Sequence, residues 1–339
     1  MTTSTNLRRS LRRGIRWSIV KRVLGIAFVA VVVYLIYRSL SGVDWPQVWQ
    51  SLKAYNVATL LPVVGLACVS FALHASFDIL GRRYTGHHLS APRVMVIAFI
   101  AYVFNLNVGA MIGGLGMRLR LYSRANVSGS QVAGIYTIAI ITNWTGYMLL
   151  AGVVLTAMPP TLPADWGITP WMLRALGVLM LACGLGYWLA CAKARTRSIR
   201  FKRHVFRLPG FRFALLQNAL SVTNWIVLAS ILNLLLPKEV TLWQALGALL
   251  VGAVAGALAH IPAGIGVLEA VFVVMLRPVA PEHVVVAALI AYRALYYLLP
   301  MVIASAAYAW MELRGARAGA VEAKPRGDFM AKPSAADRD

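Results

Sequence analysis

Apolar runs of about 20 residues recur along the chain, and most basic residues cluster in the segments between them. A helix of that length crosses the hydrocarbon core of a bilayer, which is about 30 Å thick. Composition agrees, because 60% of the residues are hydrophobic and the mean hydropathy is +0.70. We therefore predict an all-α polytopic integral membrane protein with about 6–8 transmembrane helices.

The net charge of +22 could suggest nucleic acid as a partner, but the basic residues alternate with the apolar runs. That alternation is typical of the positive-inside rule and suits contact with anionic headgroups. We expect membrane phospholipids as partners and no nucleic acid. The three cysteines, Cys68, Cys183 and Cys191, lack the spacing of a disulfide or metal site, so we expect packing roles, no metal and no cofactor.

The chain divides into a basic segment at 1–20, a transmembrane domain at 21–313 and a polar tail at 314–339, which we expect to be disordered. The segment at 7–17 has the pattern of a helix lying on an anionic leaflet, or it acts only as a topogenic cluster. No small-residue cleavage site follows the apolar run at 22–37, which indicates an anchor rather than a signal peptide. Both termini are predicted to be cytoplasmic. After this anchor, Asp44 and Pro46 can begin a short interfacial helix with tryptophans on one face.

The positions of the arginine clusters predict a first broken element. Clusters at 82–93 and 118–124 should both be cytoplasmic, yet only one apolar run separates them, whereas the loop at 158–173 has no Lys or Arg. The segment at 94–116 should therefore enter and leave on the same side, as a re-entrant element. Its predicted break lies at glycines, which include Gly113, Gly114 and Gly116.

A second break occurs in HIPAGIGVLEAVFVVM at 260–275, where Pro262, Gly264 and Gly266 interrupt an apolar run and Glu269 follows. Irregular backbone at membrane depth is tolerated only where it is buried in protein or lines a water-filled cavity. The segment at 241–276 is either a re-entrant pair entered from outside or two tight crossings. In both broken elements a glycine-apolar-glycine turn precedes a charge, and the two face opposite ways, as in the inverted repeats of transporters.

Several ionisable residues fall within spans, where they are candidates for function. His74 and Asp78 lie about one helical turn apart, and Asp78 lies about one turn before Arg82. We predict an interfacial ion pair between Asp78 and Arg82. Glu269 can complement the start of the helix that follows the break, or contact substrate. We regard His74, Asp78 and Glu269 as the candidate proton carriers.

Arg293 lies midway along the last span, where an arginine costs about 2.5–3.5 kcal/mol unless it faces a partner or water. We predict that it pairs with Glu269 or holds a lipid phosphate. Tyr296, three residues later, either offers its hydroxyl to a headgroup or packs in the core. Arg118 and Arg120, followed by Tyr122, suit a phosphate-lined cytoplasmic entrance or are positive-inside residues that snorkel.

The motifs IPAGIGVLEAVF, AYRALYYLLP and GGLGMRLRLYSRANVSGSQVAG resemble the transmembrane domain of the lysylphosphatidylglycerol synthase/flippase family over about residues 57–311. In that family the full-length enzymes join a membrane flippase domain to a soluble aminoacyltransferase domain. Because only a short polar tail follows residue 311, we expect the flippase-like half without synthase activity. The resemblance implies that headgroups are handled between two re-entrant elements. One departure is Ala263, where the family usually has glycine, so the break should be stiffer here.

Enzyme signatures are weak, because the chain has no P-loop, HExxH or nucleophile elbow, and we expect a transporter rather than an enzyme. The first hypothesis is a lipid flippase of the bacterial inner membrane, which handles an anionic or aminoacylated phospholipid or a polyprenyl-linked lipid. The second is a membrane subunit whose catalytic chain is separate, and the third is a lipid-binding scaffold. A separate lipid-synthesising enzyme and a homodimer remain open as partners.

The predicted topology can be tested by cysteine accessibility in a cysteine-free background. Cysteine in place of Arg124 should react only with reagent applied from the cytoplasmic side, and cysteine in place of Thr161 only from the periplasmic side. Periplasmic labelling at position 124 would contradict the first re-entrant element.

Overall fold

The computed structural model describes residues 44–162, 167–193, 198–201, 204–259 and 264–322. The predictions made for the basic amino-terminal segment, the apolar run at 22–37, Pro262 and Ala263 concern residues outside this part.

The described residues form a helical membrane architecture. The helices are α1 (Trp45–Lys53), α2 (Val57–Thr85), α3 (Ala91–Val108), α4 (Met117–Ser123), α5 (Gly129–Ala157), α6 (Pro170–Lys193), α7 (Phe211–Leu235), α8 (Leu242–Ala259), α9 (Val267–Leu276), α10 (Glu282–Arg293) and α11 (Leu299–Glu322). Two π-helical segments, Ala110–Gly116 and Ala294–Leu298, lead into α4 and α11. Two short antiparallel strands, β1 (Ser198–Phe201) and β2 (His204–Arg207), lie in the basic segment between α6 and α7.

Within the described part, 7 segments are long and apolar enough to cross a membrane, and α10 and α11 count as one of them, Glu282–Leu313. This confirms the prediction of an all-α polytopic membrane protein. The last helix continues to Glu322, beyond the predicted start of the polar tail at residue 314.

The short helix α1 forms where Asp44 and Pro46 predicted a helix start. The Asp44 side chain accepts a hydrogen bond from the Gln47 backbone N–H, and Pro46 occupies the first turn, where its missing N–H is not needed. Val48 is buried against Val286 of α10. Trp45 and Trp49 are exposed, as tryptophans of a membrane interface are.

The chain reverses direction after α3 and forms the first hairpin, which comprises α3, the π-helical segment and α4. Gly109 has a φ of 104°, a backbone conformation that residues other than glycine rarely adopt. The returning segment then lies against α3, so closely that a Cβ at Gly113 would be 2.1 Å from the Phe104 carbonyl oxygen. The glycines thus let two backbones touch where any side chain would separate them.

The second hairpin comprises α8 and α9, which pack against each other. Gly264 and Gly266 have φ values of 57° and 81° at the turn into α9. Gly252 faces Leu268 across the hairpin, and a Cβ there would lie 2.7 Å from the Leu268 side chain. With 10 residues, α9 is about 15 Å long, which is half the thickness of the hydrocarbon core.

Both hairpins pack on a central group of helices in which α2 contacts α5 and α7, and α5 contacts α7. Gly146 of α5 faces Ser221 of α7, where a Cβ would lie 2.3 Å from the Ser221 Oγ. Small residues at a crossing permit such close helix packing in membranes. The central helices thereby hold the hairpins in fixed positions around the interior.

We predict that Gly113→Ala destabilises the protein by about 1–3 kcal/mol, the range for overpacked sites, because the clash is with backbone that cannot rotate away. The matched control is Gly65→Ala, since no atom lies within 4 Å of a Cβ there. Heat denaturation in detergent should show a lower midpoint for the first variant and an equal or higher one for the second, because alanine is the better helix former inside α2. Equal midpoints for both would contradict the close approach in the first hairpin.

Candidate functional site

A cavity with two adjoining lobes lies inside the helix bundle, between the two hairpins. The lobes have volumes of about 380 Å³ and about 320 Å³. Both are lined by residues of α3, α7 and α8, namely Tyr102, Asn105, Leu106, Trp225, Leu228 and Ala253. The shared lining makes the two lobes parts of one cavity.

The larger lobe, which we call the Arg118 lobe, borders the first hairpin. Its further lining includes His74, Arg118, Tyr136 and Asn143, which place polar groups on a largely apolar wall. The smaller lobe, which we call the Gly264 lobe, borders the second hairpin. It is lined by tyrosines of the last span on one side and by Gly252 and Gly256 of α8 on the other.

Arg118 and Asp78 form a buried ion pair that joins the first hairpin to α2. Arg118 Nη2 lies 2.8 Å from Asp78 Oδ1, and Nε donates to Oδ2 at 3.0 Å. The two side chains are 3% and 0% exposed. Tyr122 donates its hydroxyl to the same carboxylate at 3.1 Å, and its side chain is fully buried. Asp78 thus receives the several donors that a buried carboxylate needs.

The predicted ion pair of Asp78 with Arg82 is therefore wrong. Arg82 is a neighbour along α2, but Asp78 is buried inside the bundle, where the returning arm of the first hairpin brings Arg118 into contact with it. A pairing across 40 residues is invisible to a rule that considers one helical turn.

Glu269 and Arg293 form the corresponding pair at the second hairpin. Arg293 Nε contacts Glu269 Oε1, and Nη2 donates to Oε2 at 3.0 Å. The Gly266 backbone N–H donates to Glu269 Oε2 at 2.8 Å, so the carboxylate also completes the start of α9. Of the two roles predicted for Arg293, the structure contains the pairing with Glu269.

Each arginine also binds a backbone carbonyl at the break beside it. Arg118 Nη1 donates to the Gly114 carbonyl at 3.2 Å, and Arg293 Nη2 donates to the Gly264 carbonyl at 3.3 Å. Such carbonyls need a partner because an unpaired polar group away from water is costly. The two sites therefore share one arrangement, in which a guanidinium bridges a carboxylate and a backbone carbonyl at the break.

Tyr296 belongs to a buried hydrogen-bond network that sequence analysis did not find. Its hydroxyl lies 2.8 Å from Ser70 Oγ, which donates to Asn224 Oδ1 at 2.7 Å. Tyr296 is 1% exposed, and its ring lines the Gly264 lobe. A signal was present in α7, where Gln217, Ser221 and Asn224 form a polar stripe at helical spacing.

Two polar atoms near the cavity lack partners in the described part of the chain. His74 Nδ1 and Trp225 Nε1 are both buried, and neither has a hydrogen-bond partner there. The His74 ring stacks on Tyr102, and both rings line the Arg118 lobe. Buried polar atoms are usually paired, so unpaired ones beside a cavity are sites where water or a ligand can bind.

Of the predicted substrate-binding residues, Arg118 and Tyr296 line the cavity, whereas Glu269, Arg293, Tyr122 and Arg120 are not among the lining residues of either lobe. Arg120 donates to Glu312 of α11 at 3.2 Å, and Arg124 contacts the other oxygen of that carboxylate. The arginine side chains are 54% and 52% exposed. The predicted entrance residues thus divide into two buried ones, Arg118 and Tyr122, and an exposed arginine pair.

Among the described residues, no group of three or more His, Cys, Asp or Glu could hold a metal ion. The described functional groups are therefore ion pairs, amides, hydroxyls and aromatic rings around a cavity. Such groups can hold a polar molecule inside the bundle by hydrogen bonds.

Comparisons with known proteins agree with this architecture. Residues 22–304 match the family described as the lysylphosphatidylglycerol synthase TM region. The chain is 42% identical over 301 residues to Inner membrane protein YbhN of Escherichia coli. The matched region covers 88% of this chain and 94% of that protein. It is 27% identical over 295 residues to an uncharacterized protein of Synechocystis, over 86% of this chain and 91% of the relative.

A third relative is the phosphatidylglycerol lysyltransferase of Staphylococcus aureus, 22% identical over 294 residues. The match covers 85% of this chain but 34% of that protein. The similarity thus concerns the membrane part and extends over both hairpins. The chain is a multi-pass inner-membrane protein, and it belongs to the lysylphosphatidylglycerol synthase transmembrane-region family.

Proposed function

We propose that this protein is a lipid transporter of the flippase type, which moves the headgroup of an anionic or aminoacylated phospholipid, or of a polyprenyl-linked lipid, through the cavity between its hairpins. The observation that carries this proposal is the two-lobed cavity, which adjoins both breaks and is lined in part by polar residues of the candidate membrane spans. The similarity to a phosphatidylglycerol lysyltransferase favours phosphatidylglycerol and its aminoacyl derivatives as substrates.

The energetic problem of lipid transfer supports this role for the cavity. Moving an ionised group into hydrocarbon without partners costs many kcal/mol, whereas amides, hydroxyls and paired charges replace part of its hydration. Asn105, Asn143 and the tyrosine hydroxyls supply such groups. The unpaired His74 Nδ1 and Trp225 Nε1 are further sites for a polar ligand within the described part.

On this proposal both hairpins are re-entrant and enter from opposite leaflets, with the chain termini in the cytoplasm. The fold-back at Gly109 and the shortness of α9 favour re-entrant elements over full crossings. Opposed broken elements that meet at a midplane site are a recurring transporter architecture. The two lobes would then serve the two leaflets in turn.

Of the predicted proton carriers, His74 suits coupling best. Asp78 and Glu269 are held in bidentate pairs, and protonating either would leave a buried arginine without its counter-charge. His74 lines the cavity and has one ring nitrogen without a partner in the described part. We therefore assign any proton coupling to His74.

A liposome assay tests the transport proposal. Purified protein is reconstituted with phosphatidylglycerol that carries a fluorophore on its headgroup, and a membrane-impermeant quencher is added outside. Active vesicles should lose the protected inner-leaflet signal, which empty vesicles retain. If no anionic or aminoacylated lipid moves faster than in empty vesicles, the proposal is wrong.

Variants of the second hairpin test whether the Glu269–Arg293 pair contributes to transport. Glu269→Gln and Arg293→Ala each leave one member of a largely buried pair, at a cost of about 3 kcal/mol. We expect both to lower transport per folded molecule several-fold, and Arg293→Lys to give an intermediate rate because lysine lacks the two-pronged geometry. The control is Arg277→Ala, an exposed arginine just after α9. Wild-type rates in the first two variants would exclude a role for the pair.

The second candidate is a membrane subunit of a lipid-modifying complex, which the lysyltransferase name favours. Its discriminating measurement is the mass of the lipids extracted from cells with and without the protein. A new lipid species that tracks expression, together with vesicles that show no transfer, would favour this candidate over the transporter.

A further inference from the structure

Two exposed arginines share one carboxylate at the end of the first hairpin. Arg120 Nη2 lies 3.1 Å from Glu312 Oε1, and Arg124 Nη1 contacts Glu312 Oε2. The Arg120 guanidinium also lies over the Tyr308 ring, 5.5 Å from its centroid. Two positive charges thus surround one negative charge, which leaves this group with a net positive charge.

The surroundings place this group at a membrane interface. Trp310 and Leu313, on the same stretch of α11 as Glu312, are 55% and 63% exposed. Exposed tryptophan and leucine beside paired arginines are typical of the boundary between hydrocarbon and headgroups. A lipid phosphate in this leaflet is therefore within the same layer as the arginines.

The arginines of the first hairpin differ in how firmly they are bound. Arg118 is buried with Asp78, and breaking a buried pair leaves a charge without water or partner. The contacts of Arg120 and Arg124 with Glu312 are largely solvent-exposed, and exposed ion pairs contribute little because water screens them. Only the exposed pair can exchange its anion readily.

We infer that Arg120 and Arg124 form a binding site for the phosphate of an anionic phospholipid, and that the Glu312 carboxylate occupies this site until the phosphate displaces it. A carboxylate and a phosphodiester carry the same single charge, and each offers two oxygens to a guanidinium fork. The lipid phosphate can compete with the Glu312 carboxylate because anionic headgroups are present in the leaflet at high local concentration. Glu312 thus acts as an internal substitute for the ligand.

Displacement of the Glu312 carboxylate by a lipid phosphate would change how the first hairpin is attached. The Glu312 contacts join the first hairpin to α11, so their loss releases the outer end of α4 while Arg118 still holds its inner end. This consequence rests on the transport proposal, in which the site is the lipid entrance from the predicted cytoplasmic leaflet. The binding site itself does not depend on transport.

The test is a binding measurement on the full chain in uncharged detergent. Short-chain phosphatidylglycerol, short-chain phosphatidylcholine and inorganic phosphate are titrated separately, and bound lipid is counted by native mass spectrometry. Glu312→Gln removes the competing charge and should tighten phosphatidylglycerol binding about two- to fivefold, the range of an exposed ion pair. Replacing Arg120 and Arg124 together with Gln should weaken it about tenfold or more, because charge-assisted hydrogen bonds are lost.

The matched control is Arg93→Gln, an exposed arginine at the start of α3, which should leave the affinity unchanged. Weaker binding in Glu312→Gln, or no change in the double arginine variant, would overturn the inference. Inorganic phosphate that binds with the same dependence on the variants would also overturn it, since the site would then be one for small anions. Because binding and vesicle transfer are measured separately, failure of one is distinguishable from failure of the other.

Discussion

The structure depends on how backbone groups are paired where helices break inside a membrane. An unpaired carbonyl in hydrocarbon is costly, and water is not available to bind it. At the two hairpins Arg118 and Arg293 each donate both to a carboxylate and to a carbonyl of the break, which gives that carbonyl a charged donor. A lysine offers a point charge without a rigid fork, so it would not bridge these acceptors in the same fixed geometry.

The cavity lies between the two hairpins, and its walls combine apolar surface with a few polar groups. Arg118 lines the Arg118 lobe and is neutralised by Asp78, so it adds little net charge to the wall, whereas Glu269 and Arg293 are not among the residues that line either lobe. The buried network of Ser70, Asn224 and Tyr296 adds fixed hydroxyl and amide groups. Walls of this kind favour moderate binding of a polar group, and a transport path needs binding that is weak enough for release.

The sequence predicted the hairpins more accurately than it predicted their contacts. Glycines at 109, 113 and 264 act locally, through positive φ or close approach, so the break points were visible in the sequence. The Glu269–Arg293 pair was one of the two alternatives predicted for Arg293, because a midspan arginine requires a partner. The Asp78–Arg82 pair was wrong, and the Ser70 network was missed, because their real partners lie between 40 and 226 residues away.

By itself, the sequence determined the class of protein, the spans and the breaks, because hydrophobicity and backbone restrictions act within one or two helical turns. Only the tertiary structure decided which carboxylate each arginine binds. That choice depends on which helix faces meet, and it separates Arg118, buried with Asp78, from the exposed Arg120 and Arg124, which share Glu312. The same residue type therefore has different chemistry at positions two residues apart, because burial sets the cost of exchanging its partner.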